Sequence, residues 1–232
     1  MNAIEARDLA KSFIGGDGGR VEVLDGVSLD VRGGELVAIV GASGAGKSTL
    51  LNLLGALDRP SRGEVSLGGE ALAGRSDEDL AALRNRRVGF VFQFHHLLRE
   101  FSAEENVMMP MRIAGWEPAK ARARAKELLA RVGLAARMSH RPGELSGGEQ
   151  QRTAVARALV MDPAVVLADE PSGNLDHLNA ERLHEEFVRV VRELGVAMVV
   201  VTHNRSLASR ADRVLLLEEG RLGELAGREV LA

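Results

Sequence analysis

The sequence predicts an α/β fold: a mostly parallel sheet flanked by helices and interrupted by a helical insertion. Three observations carry this. Short apolar runs alternate with amphipathic stretches in the first and last thirds of the chain, the pattern of strand–helix units. The apolar runs are continuous rather than alternating, Leu36-Val37-Ala38-Ile39-Val40 above all, which suits strands buried on both faces. From about residue 94 to residue 161 the β-branched runs give way to helix-start signals and Ala-, Lys- and Arg-rich sequence. A length of 232 residues suits one domain with a substantial insertion.

Taken in order, Val27, Leu29 and Val31 alternate with polar residues and mark a strand. The glycine cluster at 15–19 before it reads as a hairpin tip. Leu50, Leu51, Leu53, Leu54 and Leu57 mark a helix after the buried strand at 36–40. Ser76, followed three residues later by Asp79, opens another, and Val88–Phe92 is the next strand. Within the insertion, Ser102 and Glu105 form a capping box, and Pro118 opens a helix over 117–132 whose basic face is solvated. Sheet texture returns at 165–168. Leu183, Phe187, Val190, Val191 and Leu194 recur at helical spacing, and strands follow at 196–202 and 213–217. Glu218-Glu219-Gly220-Arg221 is a tight turn.

Composition narrows the function classes. Apolar residues make up 45% and charged residues 27%, ordinary values for a globular chain. A net charge of −3 gives no electrostatic reason to expect nucleic acid as a direct partner. The absence of cysteine excludes disulfides, thiol catalysis and Cys-ligated metal sites, and fits a reducing compartment. The N-terminal residues carry no signal-peptide pattern, and no apolar run approaches the ~20 residues a membrane span needs. Glycine is abundant, 26 residues, and where it falls is informative.

Gly41-Ala42-Ser43-Gly44-Ala45-Gly46-Lys47-Ser48-Thr49 matches G-x-x-x-x-G-K-[ST] in full, after a strand and before a helix. The glycines let successive backbone N–H groups turn toward phosphate oxygens, and the helix adds its positive end. Lys47 reaches the β- and γ-phosphates, and Ser48 ligates Mg²⁺. A second strand ends in Asp169-Glu170. Asp169 can hold the Mg²⁺ shell, and Glu170 can orient or deprotonate the attacking water. Between these motifs lies Leu145-Ser146-Gly147-Gly148-Glu149-Gln150-Gln151-Arg152, where Ser146 caps a helix with Glu149 reaching back, leaving Gly147 and Gly148 open to a phosphate. The tandem His95-His96 has no other ligand-type residue at a supporting spacing and reads as structural.

With these motifs in this order, the sequence resembles the ATP-binding cassette (ABC) ATPases over essentially its whole length. The resemblance implies a P-loop, RecA-like core with a mostly parallel sheet, an antiparallel β subdomain and an inserted helical subdomain; the core would be 1–93 and 163–232, the helical subdomain 94–162. It makes Gln93 the Q-loop glutamine that senses Mg²⁺, Ser172-Gly173-Asn174-Leu175-Asp176 the D-loop, and His203 the switch histidine that holds the γ-phosphate and water. Phe13 stands where the family stacks an aromatic on adenine. Taken singly, Gln93 reads as a surface amide, His203 as a sheet-end histidine and Phe13 as core; the register of six motifs decides.

The resemblance also implies a head-to-tail homodimer closing on two ATP–Mg²⁺, in which Ser146, Gly147, Gly148 and Glu149 of one chain face the nucleotide bound by the other and Asp176 couples the sites. The segments Phe92-Gln93-Phe94-His95-His96-Leu97-Leu98 and His140-Arg141-Pro142-Gly143-Glu144 resemble the branch that drives lipoprotein release in Gram-negative bacteria. That implies integral membrane permease subunits of the LolC/LolE kind as partners and a peripheral place on the cytoplasmic face of the inner membrane. Macrolide or peptide export, or a cell-division complex, shares part of the pattern. A soluble non-transport ABC ATPase would usually carry two cassettes or a long coiled-coil insertion, and a regulatory module would lack Glu170 or the LSGG residues; neither fits. Arg99 and Ser172 depart from the family's usual proline and threonine.

Overall fold

The reason for continuous apolar strands is visible in how the central sheet is covered. In the computed structural model, which describes residues 2–16 and 18–225, β3 (Leu36–Val40), β7 (Val165–Asp169) and β8 (Ala197–Val201) run parallel at the middle of a six-stranded sheet. β6 (Val88–Phe92) flanks them on one side, and β9 (Arg213–Glu218) with β10 (Arg221–Glu224) on the other, in the order β10-β9-β3-β8-β7-β6. Only β10 is antiparallel, folded back on β9 by the predicted turn at 218–221. Alternate side chains of the central strands enter different cores. Leu36, Ala38, Val166, Ala168, Met198 and Val200 face one; Val37, Ile39, Val165, Leu167, Val199 and Val201 face the other. Period-two alternation persists, but both faces are apolar because both are covered.

One cover is a second sheet. β1 (Asn2–Ile14) and β2 (Arg20–Arg32) form a long hairpin, joined by β4 (Arg62–Leu67) and β5 (Glu70–Ala71) in the order β2-β1-β4-β5, antiparallel throughout. With α1 (Lys47–Leu54), it packs on the Val37/Ile39 face. The other face meets α6 (His177–Leu194) and the helices of the 94–162 segment. Each large side chain fully buried in these layers contributes roughly 1.5–3 kcal/mol. Asp17, within the predicted hairpin tip, and residues 226–232, at the end of the predicted core, lie outside the described residues.

Caps fix where the helices begin. α2 (Asp77–Arg87) starts at Ser76, whose Oγ accepts from Asp79 N; Asp77, Glu78 and Asp79 fill its first turn and Arg84, Arg86 and Arg87 its last, each complementing the helix dipole. α3 (Ala103–Ile113) carries the Ser102–Glu105 capping box, and α4 (Pro118–Arg131) opens on Pro118 with Glu117 as cap. α5 (Gly147–Leu159) leads back to β7, and α7 (Arg205–Ala208) is a single turn after β8. One expectation changes. α1 stops at Leu54: Gly55 donates back to Leu51 O and Ala56 turns the chain at φ 56°, so Leu57 leaves the helix and lies exposed.

Candidate active site

Because β3, β8, β7 and β6 are adjacent and parallel, their C-terminal ends form one rim, the edge where open α/β sheets bind ligands. The phosphate loop 41–49 follows β3, His203 lies just beyond β8, Asp169 ends β7 with Glu170 after it, and Gln93 follows β6. The topology therefore gathers four separated sequence motifs along one edge.

The phosphate loop is built for backbone donation. Among the described residues, the N–H groups of Ser43, Gly44 and Gly46 meet no protein acceptor, while Ala45 N donates to Ala42 O. A side chain at Gly41 would place its Cβ 2.3 Å from Leu217 O, and one at Gly46, already at φ 97°, 2.9 Å from Val23 Cγ1. Only glycine lets the loop sit this close to β9 and β2. Lys47 Nζ donates to Gly41 O and Ala42 O, both at 2.9 Å, which arches its ammonium back over the loop. Ser48 and Thr49 follow in the first turn of α1, and Leu50 N closes that turn on Gly46 O. Free donors, a helix N-terminus and one cation together fit a polyphosphate.

The Asp169 carboxyl stands near Ser48; burial raises its pKa and the neighbouring Glu170 charge raises it further, while the Ser48 hydroxyl and the Lys47 charge oppose this. A hydroxyl and a half-buried carboxyl beside a phosphate site are the hard oxygen donors that Mg²⁺ takes, usually with one or two carboxylates plus substrate phosphates. Gln93 could add an amide oxygen, but its side chain is engaged elsewhere: Nε2 donates to Asn174 Oδ1 (3.0 Å) and Asn174 Nδ2 returns to Gln93 O (3.1 Å). This reciprocal pair ties the end of β6 to the loop after β7.

Glu170 has φ 43°, a left-handed backbone that a non-glycine residue adopts only under local constraint. Its N–H donates to Val201 O, and its carboxylate accepts from His203 N (3.1 Å) and Thr202 Oγ1 (3.3 Å). His203 Nδ1 lies 2.8 Å from Glu170 Oε1. The Glu170 side chain is 20% exposed and the His203 ring 76%, so the ring stands at the solvent edge with the carboxylate behind it. The pair can aim a water and exchange a proton with it.

The start of α5 is organised differently. Ser146 Oγ accepts from Glu149 N, and Glu149 Oε2 accepts from Ser146 N at 2.8 Å. Arg137 donates to Oε1 at 2.9 Å. These bonds, the Ser146 backbone first, hold the Glu149 pKa down to about 2. Both Glu149 oxygens are thus engaged in presenting Ser146, Gly147 and Gly148 at the helix tip. Gly148 lies against Asn179, and Gly147 faces Leu175. Asp176 caps α6, accepting from Asn179 N at 3.1 Å and from its amide. Among the described residues no hydrogen bond joins Ser146, Gly147 or Gly148 to the phosphate loop. Phe13, 45% exposed, sits on β1 opposite Val21 of β2, with Lys11 Nζ 5.1 Å from its ring centroid. It reaches the loop's neighbourhood through β2, whose Val23 underlies Gly46.

A family model described as ABC transporter matches residues 24–173. The chain belongs to the ABC transporter family. As an ABC ATPase it hydrolyses ATP in step with transport. It is 58% identical over 95% of its length to a lipoprotein-releasing system ATP-binding protein LolD of Bordetella pertussis, covering 95% of that protein. It is 55% identical over 94% of its length to the LolD of Geobacter metallireducens, covering 97% of it. A solved dimeric structure of a post-hydrolysis state of the ATP-binding cassette MJ0796, bound to ADP and phosphate, superposes with a TM-score of 0.88 at 35% identity, covering 97% of this chain and 99% of that one. These neighbours carry the same ABC architecture of mixed sheets and helices.

Three residues of the rim were not singled out from the sequence. Thr202 is buried, donates to Glu170 and accepts from Asn204 N, so it sets the floor of the Glu170–His203 pair. Asn174 restrains Gln93. Buried Gln151 donates to Phe92 O at 3.4 Å, linking α5 to the end of β6. Each stood inside a quoted motif, but nothing local marked its partner.

Proposed function

We propose that this chain is the ATP-hydrolysing subunit of a lipoprotein-releasing ABC transporter, working as a dimer against integral membrane permease subunits. The observation that carries the hydrolytic reading is the single rim on which Lys47, Ser48, Gln93, Asp169, Glu170 and His203 follow neighbouring strand ends. The relatives at 50–58% identity, named as lipoprotein-releasing system ATP-binding proteins, support lipoprotein release as the process served. The dimeric cassette structures support the paired state.

In this reading the N–H groups of the phosphate loop and the Lys47 ammonium bind the β- and γ-phosphates. Mg²⁺, held by Ser48, Asp169 and a released Gln93, would neutralise developing phosphate charge. Glu170 orients the attacking water and takes up its proton, and His203, already hydrogen-bonded to Glu170, steadies the γ-phosphate. Phe13 offers a face to the base. The tip of α5, with Ser146, Gly147 and Gly148, completes the opposite chain's site, and Asp176 lies beside that junction.

The permease contact falls on the cleft lined by Leu57, Phe90, Pro110, Ile113, Arg157 and Met161, where Arg157 holds the His95 and His96 carbonyls of the segment that exposes Phe94, Leu98 and Phe101. Phe94 is 68% and Ile113 71% exposed, an apolar surface suited to cytoplasmic helices of a membrane partner. No helix among the described residues is long and apolar enough to cross a membrane, so peripheral attachment at the inner membrane goes through such a partner. The test is lipoprotein release from vesicles rebuilt with this chain and its permease. ATP-dependent release supports the reading; ATP turnover without release of any lipoprotein overturns the assigned process.

A further inference from the structure

Two bridges join the loop after β7 to the loop after β8. The first is the Glu170 carboxylate with Thr202 and His203, at the solvent edge. The second passes through a buried ring. His184, on α6 and without exposed surface, places Nε2 3.1 Å from Ser172 Oγ. Its Nδ1 faces Glu181 Oε1 at 3.4 Å, without hydrogen-bond geometry. Glu181 in turn accepts from Ser206 Oγ of α7 at 2.7 Å and from the Arg210 guanidinium just beyond it. Ser172 lies two residues after Glu170, and Ser206 three residues after His203. The chain Ser172–His184–Glu181–Ser206, buried at Ser172 and His184 and half-buried at Glu181 and Ser206, therefore spans the same two loops as the exposed pair.

The proton positions follow from chemistry. Glu181 is ionised, held below the usual carboxylate range by the Ser206 hydrogen bond first and then by the Arg210 charge, so it only accepts. Burial keeps His184 neutral. The tautomer that suits both neighbours carries its hydrogen on Nδ1, on the side of the Glu181 carboxylate 3.4 Å away, and leaves Nε2 to accept from the Ser172 hydroxyl. In that tautomer one ring orients both ends of the chain.

Turnover weakens the exposed bridge. The Glu170 oxygens that accept from Thr202 and from the backbone and ring of His203 are the ones that take up a proton from water, and a protonated carboxyl accepts those bonds less strongly. The link between the two loops is weakest at the step that needs them in register. None of those atoms belongs to the second bridge. We propose that Ser172, His184, Glu181 and Ser206 are positioning residues for hydrolysis, holding the Glu170 loop and the His203 loop together while the exposed bridge weakens. This rests on the hydrolytic roles given above to Glu170 and His203.

The test uses the full chain and its steady-state ATPase. Ser172→Ala with His184→Leu removes both polar partners together, so no buried group is left unsatisfied and the fold is retained. The expected result is a melting temperature near the parent's, an unchanged KM for ATP, and a kcat lower on the order of tenfold, since small misplacement of reacting groups is costly. A parental kcat in the folded double variant overturns the proposal. Should that variant not fold, Ser206→Ala, which leaves Glu181 paired with Arg210, decides: kcat falling several-fold at constant KM supports the positioning role, and parental kcat overturns it. Glu170→Gln alone separates the underlying reading. If it hydrolyses ATP at the parental rate, the role of Glu170 fails; if it does not and the Ser172, His184 and Ser206 variants are parental, only the second bridge fails.

Discussion

The strand-end rim and the tip of α5 are both held by the chain's own hydrogen bonds, yet each is complete in a different sense. The rim carries a cation, three acidic or amide side chains and free N–H donors. The tip of α5 carries a finished capping box and two glycines, but no charge aimed outward, because Glu149 is turned back onto its own helix and Arg137. One region carries the reactive groups; the other carries a preformed helix tip. On the function proposed above, that division suits a dimer of half-sites, and it separates the expected effects of mutations: rim changes should act on binding and hydrolysis within a chain, α5 changes on closure between chains.

The largest expected effect is at the rim. Glu170→Gln keeps the side-chain shape and removes the base, so kcat should fall by about 10²–10⁴-fold. ATP binding should survive, and an ATP-bound dimer should accumulate on size-exclusion chromatography. Parental turnover in this variant would break the assignment of the rim as the hydrolytic half. Lys47→Ala comes next. Losing a charge-assisted contact costs about 1.5–3 kcal/mol, so calorimetry should show ATP affinity weakened by at least tenfold. Ser146→Ala probes the other region. It removes a cap worth about 1 kcal/mol to α5, should leave the affinity of the separate chain for ATP intact, and should reduce the ATP-induced dimer. Equal loss of monomer affinity would erase the distinction drawn between the two regions.

The contrast also explains what could be read in advance. The rim was legible because its residues sit in contiguous motifs at the ends of continuous apolar runs, and strand order alone brings them together. Helix starts were legible at Ser76, Ser102 and Ser146 because a cap and its partner are three residues apart. What spacing could not reveal were pairings across long stretches of chain: Gln93 with Asn174, Thr202 with Glu170, Ser172 with His184. His184 is instructive. The periodic residues Leu183, Phe187, Val190 and Val191 marked the buried face of α6, and a histidine beside them looks like the polar edge of that face until the structure shows it fully enclosed. Leu57 failed the opposite way, continuing an apolar period after Gly55 and Ala56 had already ended the helix.

Glu149 gives the smallest effect and the sharpest check on the α5 half. As part of the motif it was assigned to nucleotide; its geometry turns it to Ser146 N and Arg137, and the carboxyl is held at about 2 against an ordinary value of 4.5. A folded-state pKa below the unfolded one means the carboxylate stabilises the fold fully above about pH 4.5 and that this contribution is lost as pH falls toward about 2. Glutamine at 149 can still return a hydrogen bond to the Ser146 backbone, as capping boxes allow, but it has no proton to gain. The Glu149→Gln melting temperature should therefore fall less steeply than the parent's between those two pH values, while the two curves run parallel above them. Identical slopes across the acid range would mean that Glu149 is not held by Ser146 and Arg137 in solution, and would return its carboxylate to the face that meets the opposite chain.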